Sequence, residues 1–356
     1  MTLGIIDLGT NSIHLVIGVL GLNGKFHVVV KERELAYVGE SGLVKNRLSR
    51  AAIKRAMAVL KRYATILRRY GAEHVEAVAT SAVREAKNGR QFVRRVRRDL
   101  QLPLRTISGR EEARLIYLGT LQEGDAIASG SRRSETLMVT IGGGSAQVIC
   151  GNRRLLYYAC SVPLGGARLA QRFIRHDPAR PAEMNVLYAY VSRLWSRVAR
   201  DVKRYPWQQA FGNSATIYQL MMAAYLRRHS RPPKQKDRLS LSRRSLRELV
   251  SWLSTSTASR RRKLPGLDPK REAIALTTGV TLLAWMECCD VSTLRCASGS
   301  LREGLVRDYL IRYRQREYRR IAQRPHGHVT GNGVHRPSGR VRRRLESSIK
   351  RDTGTH

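Results

Sequence analysis

Two short segments of the chain carry glycine and small hydroxyl residues in the same order. Residues 6–12 and 139–145 each end one apolar run and precede another. Because glycine has no side chain, successive backbone amides in such turns can point at an anion. The pattern predicts two phosphate-binding turns, with these candidate ligands: Gly9, Thr10, Asn11, Ser12, Gly143, Gly144 and Ser145.

The two segments differ in charge at one position. Asp7 ends the first apolar run, where an unpaired carboxylate would be costly. A hydrated Mg²⁺ held jointly by this carboxylate and by substrate phosphates would suit it. Thr140 occupies the equivalent position in the second segment, so the two turns do not offer the same ligands.

Two further candidates follow other small-residue turns. Arg84 comes shortly after Thr80 and could present its guanidinium fork to phosphate oxygens, although an ordinary surface arginine fits the same pattern. Glu111 and Glu112 open a predicted helix, where the helix dipole favours carboxylates. The alternative for these glutamates is a general base that activates water in a cleft.

Asn213 and Ser214 also stand where a predicted strand meets a helix, and they are candidate phosphate ligands. The sequence alternates such turns with strands near 3–9, 13–19, 75–79, 104–107, 136–141 and 210–212 and with helices between them. In an α/β sheet these turns lie at one edge and line a crevice. The repeated plan therefore predicts two related α/β halves around a cleft.

The composition indicates an anionic partner. The chain has 356 residues with 66 Lys+Arg against 27 Asp+Glu, and the segment 313–356 accounts for only 12 and 3 of these. A positive surface concentrates anions such as polyphosphate, nucleotides or nucleic acid, although solvated arginines alone also explain the charge. The tail 313–356 has little apolar periodicity and is expected to be disordered.

Other classes of site and location are disfavoured. The five cysteines form no CxxC pair, and no GxxxxGK[ST] loop is present, which argues against a zinc site and a P-loop NTPase. No stretch approaches a membrane span, and the first residues lead straight into a strand pattern. We therefore expect a cytoplasmic protein that does not contact a membrane.

Several strings together resemble the exopolyphosphatase / guanosine pentaphosphate phosphatase (Ppx/GppA) family in its short two-domain form. The resemblance covers about residues 3–312 and rests on the segments 6–12, 79–86, 107–119, 141–145, 163–166 and 301–305. It implies two actin-like (ribonuclease H-like) α/β domains of the sugar-kinase, heat-shock ATPase and actin superfamily. The expected bounds are 1–125 and 126–312, followed by the tail.

The resemblance also implies roles for particular residues. The catalytic base falls on Glu112 and the phosphate-gripping arginine on Arg84, while Asp7 would help to hold Mg²⁺ (or Mn²⁺). The family usually has aspartate where this chain has Thr140 and glutamate where it has Gln147, so two expected acidic metal ligands are replaced.

Three functions follow from these residues. The first is release of terminal orthophosphate from inorganic polyphosphate by water attack. The second is a 5′-phosphatase of guanosine pentaphosphate (pppGpp), and the third is a polyphosphate- or nucleotide-binding protein without turnover, which Thr140 and Gln147 motivate. Relatives imply a homodimer, and nucleic acid is compatible with the charge but not favoured.

Overall fold

Two mixed β-sheets form the framework of the protein. A computed structural model describes residues 1–21, 25–40, 42–121, 135–235 and 239–322. The predicted boundary segment 124–134 and the tail beyond Ala322 lie outside these ranges. The domain bounds at 125 and 126 therefore stay a prediction.

The first sheet has five strands in the order β3-β2-β1-β4-β5. Its strands are β1 (Thr2–Leu8), β2 (Ser12–Leu20), β3 (Phe26–Leu35), β4 (His74–Ala79) and β5 (Leu104–Thr106). The helices of this half are α1 (Gly42–Lys45), α2 (Arg50–Arg69), α3 (Ser81–Arg84), α4 (Gly89–Leu100) and α5 (Gly109–Thr120).

The second sheet has six strands in the order β10-β11-β9-β6-β7-β8. Its strands are β6 (Thr136–Ile141), β7 (Ala146–Gly151), β8 (Leu156–Val162), β9 (Gln209–Gly212), β10 (Ser240–Ser242) and β11 (Thr293–Cys296). Its helices are α6 (Gly166–Phe173), α7 (Pro181–Val202), α8 (Ala215–Leu226), α9 (Arg243–Thr255), α10 (Ala258–Arg262), a 3₁₀ turn (Pro269–Arg271), α11 (Glu272–Cys288) and α12 (Leu301–Ala322).

The two sheets share one topology. In each half an antiparallel meander of three strands comes first, β1-β2-β3 or β6-β7-β8. Two parallel strands are then added beside the first strand of the meander, β4 and β5 or β9 and β11. This repetition confirms the predicted actin-like α/β fold of two related halves.

Local sequence accounts for where helices begin and end. Ser49 caps α2 by accepting a hydrogen bond from the amide of Ala52 at 3.1 Å, and Gly71 follows the helix with a φ of +59° that favours glycine. Ala56, Leu60 and other apolar residues recur at helical spacing and are buried against the first sheet.

Helices α5 and α12 lie between the two sheets. Their apolar side chains share one core with residues of β1 and β4 on one side and β6, β7 and β9 on the other. The helices approach closely because Gly304 of α12 faces the backbone of Leu115 in α5. The chain therefore returns at its C-terminal helix to join the two halves.

The last helix corrects one expectation. The sequence places its end near Tyr313, with a disordered tail beyond, but α12 continues to Ala322. Arg312 in this helix pairs with Glu76 of β4 at 2.8 Å and with Asp308 at 2.9 Å. Residues 314–322 contain neither glycine nor proline and are mostly good helix formers, so the helix continues where apolar periodicity fades. Within the described ranges, none of the helices combines the length and the hydropathy needed to cross a membrane.

Candidate active site

The two glycine turns have the same backbone geometry. The amide of Gly9 donates to the carbonyl of Ser12 at 3.0 Å, and the amide of Gly142 donates to the carbonyl of Ser145 at 2.9 Å. Both turns therefore reverse the chain between the first two strands of their sheets. The likeness that the sequence predicts is confirmed at the level of individual hydrogen bonds.

Backbone carbonyl groups in both turns accept hydrogen bonds from neighbouring segments. The amides of Gly39 and Tyr37 donate to Thr10 and Asn11, both at 2.9 Å, in the first turn. In the second turn, the amides of Gly166 and Arg168 donate to Gly142 and Gly143 at 2.9 and 3.0 Å.

The backbone amides at the tips of the turns have no backbone acceptor among the residues that the structure describes. In the described part of the chain, the amides of Thr10, Asn11, Gly143 and Gly144 donate to no other backbone group. Carbonyls that are occupied and amides that are not make an anion-binding surface.

The two turns also touch each other. A side chain at Gly143 would come within 3.0 Å of the Thr10 Cβ atom, and one at Gly144 would come within 2.5 Å of the Ser81 hydroxyl. The glycines are therefore needed for the close approach of the second turn to the first. This contact brings together the predicted ligands of both halves.

Arg168 fastens this contact. Its guanidinium donates to the carbonyls of Gly144 at 2.7 Å and Leu43 at 3.0 Å and to the hydroxyl of Ser81 at 3.2 Å, and it pairs with Glu85. Arg168 is only 8% exposed. The residue is not among the sequence-based candidates, because its partners are up to 125 positions away.

Glu112 lies in the first turn of α5 and faces the same region. Ser108 caps the helix through its hydroxyl, which accepts from the amide of Glu111 at 3.1 Å. Glu112 is 8% exposed, whereas Glu111 turns away and pairs with Arg114 at 2.8 Å. The structure thus separates two adjacent glutamates that the sequence leaves equivalent in their favourable helix position.

The electrostatics of Glu112 suit a base. Burial raises the pKa of this carboxyl to about 7, despite the lowering effect of the Arg84 guanidinium 2.8 Å away. The charges of Asp7 and Glu85 also raise it. A pKa near neutrality is what a general base needs to be ionised and still accept a proton.

Arg84 is positioned by the protein before any ligand binds. One nitrogen donates to the carboxylate of Glu112 at 2.8 Å and to the carbonyl of Ile107 at 3.1 Å. The side chain is 20% exposed, so the protein covers most of it. Its role as a phosphate ligand stays a prediction.

Asp7 ends β1 and faces Arg302 of α12, with 3.5 Å between Oδ2 and a guanidinium nitrogen. Burial raises the pKa of Asp7, and Arg302 opposes that rise. Thr140 and Gln147 face each other across β6 and β7. The Gln147 amide donates to the hydroxyls of Ser145 at 2.8 Å and Ser161 at 3.2 Å.

This donor set does not fit a Mg²⁺ site built by the protein. Among the described residues, no three histidine, cysteine, aspartate or glutamate side chains are grouped so that they could hold a metal ion. The carboxylates of Asp7, Glu85 and Glu112 all face arginines. The implied requirement for Mg²⁺ or Mn²⁺ stays a prediction, and no chemical step is assigned to it here.

The side chains of Asn213 and Ser214 form hydrogen bonds with backbone groups. The Asn213 side chain donates to the carbonyl of Ser298 at 3.3 Å, and the Ser214 hydroxyl accepts from the amide of Ile217 at 3.1 Å as the cap of α8. Asn213 is buried. Their predicted role as phosphate ligands stays a prediction.

A second group of cations surrounds His14 beside the first turn. Burial and the charges of Arg302, Arg33, Arg271 and Lys31 lower the pKa of this histidine to about 3, so it is neutral at physiological pH. Its Nε2 lies 2.9 Å from the Ser12 hydroxyl.

Two of these cations have a side-chain nitrogen that donates no hydrogen bond in the described part of the chain. The buried Nε atoms of Arg271 and Arg302 have no hydrogen-bond partner within the described residues. Arg302 lies in the segment 301–305, whereas Arg271 lies outside the segments that carry the resemblance, and the sequence does not indicate that the two converge.

Comparisons with known proteins identify similar molecules. The profile of the Ppx/GppA phosphatase family matches residues 21–312. The chain is 25% identical over 307 residues to exopolyphosphatase 1 of Mycobacterium leprae, which covers 86% of this chain and 88% of that protein. The solved structure of an exopolyphosphatase from Cytophaga hutchinsonii is similar with a TM-score of 0.76 and 25% identity, over 87% of this chain and 98% of its own. A Ppx/GppA family structure from Aquifex aeolicus shares the fold, with a TM-score of 0.70, 24% identity and coverage of 88% and 98%.

Proposed function

Because the chain belongs to the Ppx/GppA phosphatase family, we propose that it hydrolyses the terminal phosphoanhydride of inorganic polyphosphate and releases orthophosphate. The observation that carries the proposal is Glu112, a buried carboxyl with a pKa raised to about 7. It lies beside Arg84 in a cleft that also presents two glycine turns with unoccupied amides. This combines a base, a cation and an anion cradle.

In the proposed reaction, Glu112 accepts a proton from a water molecule while the water oxygen attacks the terminal phosphorus. The bond from that phosphorus to the bridging oxygen breaks, and the bridging oxygen stays on the shortened chain. The turn amides and Arg84 neutralise the negative charge of the phosphoryl oxygens during transfer. Positioning and electrostatics do most of the work in such a reaction.

The cations around His14 favour a long substrate. Arg33, Arg271 and Arg302 act on the same histidine electrostatically, so they place positive charge next to the first turn. A polyphosphate carries charge on every unit, and a cleft of one sign concentrates such a ligand. The phosphates of pppGpp can use the same turns, and pppGpp is therefore compared with polyphosphate in the assay described below.

Thr140 and Gln147 favour one alternative, binding without turnover. Both are neutral and nearly fully buried, so they cannot balance the charge of a metal ion, and the Gln147 amide already donates to the hydroxyls of Ser145 and Ser161. A protein of this kind would keep its affinity for polyphosphate and release no orthophosphate.

The test is phosphate release from long-chain polyphosphate, pppGpp and ATP. We expect the wild type to release phosphate fastest from polyphosphate and Glu112→Gln to lower kcat roughly 10²–10⁴-fold. Glu111→Gln is the matched control, since Glu111 pairs with Arg114 outside the cleft, and it should keep the wild-type rate.

Three results would contradict the proposal. A Glu112→Gln variant as active as the wild type would exclude Glu112 as the base. Faster release from pppGpp would favour the nucleotide phosphatase, and tight polyphosphate binding with no release would favour the binding protein. The homodimer and the cytoplasmic location stay predictions.

A further inference from the structure

The outer face of α7 carries a row of four cations, Arg193, Arg197, Arg200 and Lys203, which we call the α7 strip. All four are exposed. Spacings of four, three and three residues place them on one side of the helix, over a length of about 15 Å. The opposite side of α7, including Trp195, is buried in the core of the second half.

The strip borders a concave site rather than a convex surface. The concavity is open to solvent and has a volume of about 600 Å³, and besides the four cations it is lined by Ser196, Ala199 and Cys288. Ligand sites in proteins are usually clefts of roughly 300–1,000 Å³. Four cationic side chains therefore converge on one space that is large enough for several phosphate groups.

The neighbouring carboxylate of Asp201 accepts a hydrogen bond from the Tyr158 hydroxyl at 3.3 Å and pairs with no cation of the strip among the described contacts. Within the part of the chain that the structure describes, none of the four forms an ion pair. By contrast, Arg244 and Arg247 of α9 pair with Glu248 and Glu287 at 3.1 and 2.7 Å. Four like charges held together repel one another, and a polyanion would relieve that repulsion.

The lining distinguishes between two polyanions. Single-stranded nucleic acid is usually held by cations together with aromatic side chains on which bases stack, but the described lining contains no aromatic residue. Nearby Tyr190 already stacks with Arg172 at 4.6 Å and Arg193 at 5.7 Å. Polyphosphate has charge without bases and fits this lining better.

The strip is linked to the second glycine turn through α6. Gly165, which precedes this helix, packs on the backbone of Gly143 and Gly144. At the other end of α6, Arg172 contacts Tyr190 of α7 through its guanidinium, with a hydrogen bond of 3.1 Å. One helix of about 12 Å therefore separates the cleft from the residues that adjoin the strip.

We propose that the α7 strip is an accessory site for inorganic polyphosphate, which binds the distal part of a long chain whose end lies in the cleft. The strip raises affinity for long chains by adding a second point of attachment, because the second contact then forms within one complex. The inference rests on the proposed function for its substrate, but binding to the strip requires no hydrolysis.

The experiment reverses two charges of the strip with Arg197→Glu and Arg200→Glu together. The matched control is Arg90→Glu with Arg94→Glu on α4, which makes the same charge change at two exposed arginines of the other half. Affinity for end-labelled long-chain polyphosphate is measured by fluorescence anisotropy. Where hydrolysis occurs, KM and kcat are measured with long-chain polyphosphate and with tripolyphosphate.

We expect the strip variant to bind long-chain polyphosphate roughly tenfold more weakly than the control variant does. KM for the long chain should rise to the same extent, with kcat and the tripolyphosphate kinetics unchanged. Loss of binding in a protein that hydrolyses nothing would support the strip and contradict the proposed function. The neutral pair Arg197→Gln with Arg200→Gln replaces the reversal if the reversed variant melts at a lower temperature.

Two outcomes would overturn the inference. In one, the strip variant and the control variant bind long-chain polyphosphate equally well. In the other, the strip variant loses affinity for single-stranded RNA but keeps its affinity for polyphosphate, which would assign the strip to nucleic acid.

Discussion

At Glu112, burial and an ion pair act on one carboxyl group in opposite directions. Burial disfavours the charged form, and the Arg84 guanidinium 2.8 Å away favours it. Burial is the larger effect, so the pKa rises to about 7. A general base must be deprotonated to accept a proton, and the Glu112 carboxyl is deprotonated above that pH.

The first prediction concerns pH. We expect kcat/KM for polyphosphate to rise with pH through about 7 and to fall about tenfold for each pH unit below it, because only ionised Glu112 accepts a proton. The guanidinium of Arg84 lowers the pKa of Glu112. Arg84→Gln should therefore move the acidic limb of the pH–rate profile to higher pH, independently of its effect on the maximum rate.

A pH–rate profile of the wild type, Arg84→Gln and Glu111→Gln checks this prediction. The control, Glu111→Gln, changes a carboxylate outside the cleft and should leave the limb in place. A limb that stays near the wild-type pH in Arg84→Gln would show that this arginine does not tune the base.

The second prediction concerns the neutral pair in the second half. Thr140→Asp with Gln147→Glu would place two carboxylates opposite each other across β6 and β7, where they repel one another unless a cation joins them. We expect a lower melting temperature in EDTA, its recovery in Mg²⁺, and polyphosphate hydrolysis in Mg²⁺ about tenfold faster than in the wild type.

Thermal melts and phosphate release with and without Mg²⁺ measure these effects. Thr140→Asn is the control, since asparagine has the shape of aspartate without its charge. If the double variant gains neither Mg²⁺-dependent stability nor rate, Thr140 and Gln147 are part of a site rebuilt around neutral groups.

At the scale of elements, α5 carries Glu112, and α12 packs against α5. Gly304 of α12 lies against the carbonyl of Leu115, and Gly119 of α5 lies against the carbonyl of Ser300. Small residues at such a crossing let two helix backbones approach each other. The position of Glu112 relative to the glycine turns therefore depends on a helix from the far end of the chain.

The third prediction tests this crossing. A methyl group in Gly304→Ala would overlap the Leu115 carbonyl oxygen, and overpacking of this kind costs about 1–3 kcal/mol. We expect a lower free energy of unfolding and a lower kcat for polyphosphate, because α5 must move and carries Glu112 with it.

Denaturant unfolding and phosphate release measure both effects. Gly71→Asn serves as the control, because Gly71 has open space around it and a left-handed φ that asparagine tolerates. Wild-type stability and rate in Gly304→Ala would mean that the two helices adjust without displacing the base.

At the scale of the whole molecule, two halves of one topology meet at their glycine turns. Arg168 ties the second turn to Ser81 and Glu85 of the first half, while α5 and α12 fill the space between the sheets. The excess of positive charge is distributed unevenly over this frame. Part of it surrounds His14 at the cleft, and part forms the α7 strip, whose test is the charge reversal described above.

Much of the fold could be predicted because it depends on local patterns. Alternating apolar residues predict strands, and helical spacing after a capping residue such as Ser49 predicts a helix like α2, which begins at Arg50. The repeated glycine turns predict two related halves. The end of α12 was placed wrongly, since good helix formers continue the helix to Ala322 after apolar periodicity has faded.

The sequence by itself determined the backbone chemistry of the two glycine turns, whose tip amides have no backbone acceptor among the described residues, with Asp7 in one half and Thr140 in the other. Only the tertiary structure decided which side chains act together. It turned Glu112 inward and Glu111 outward, and it brought Arg168, Arg271 and Arg302 to the cleft from distant positions. The physical reason is that a turn is specified by its own few residues, whereas burial, ion pairs and pKa values depend on neighbours that the folded chain supplies.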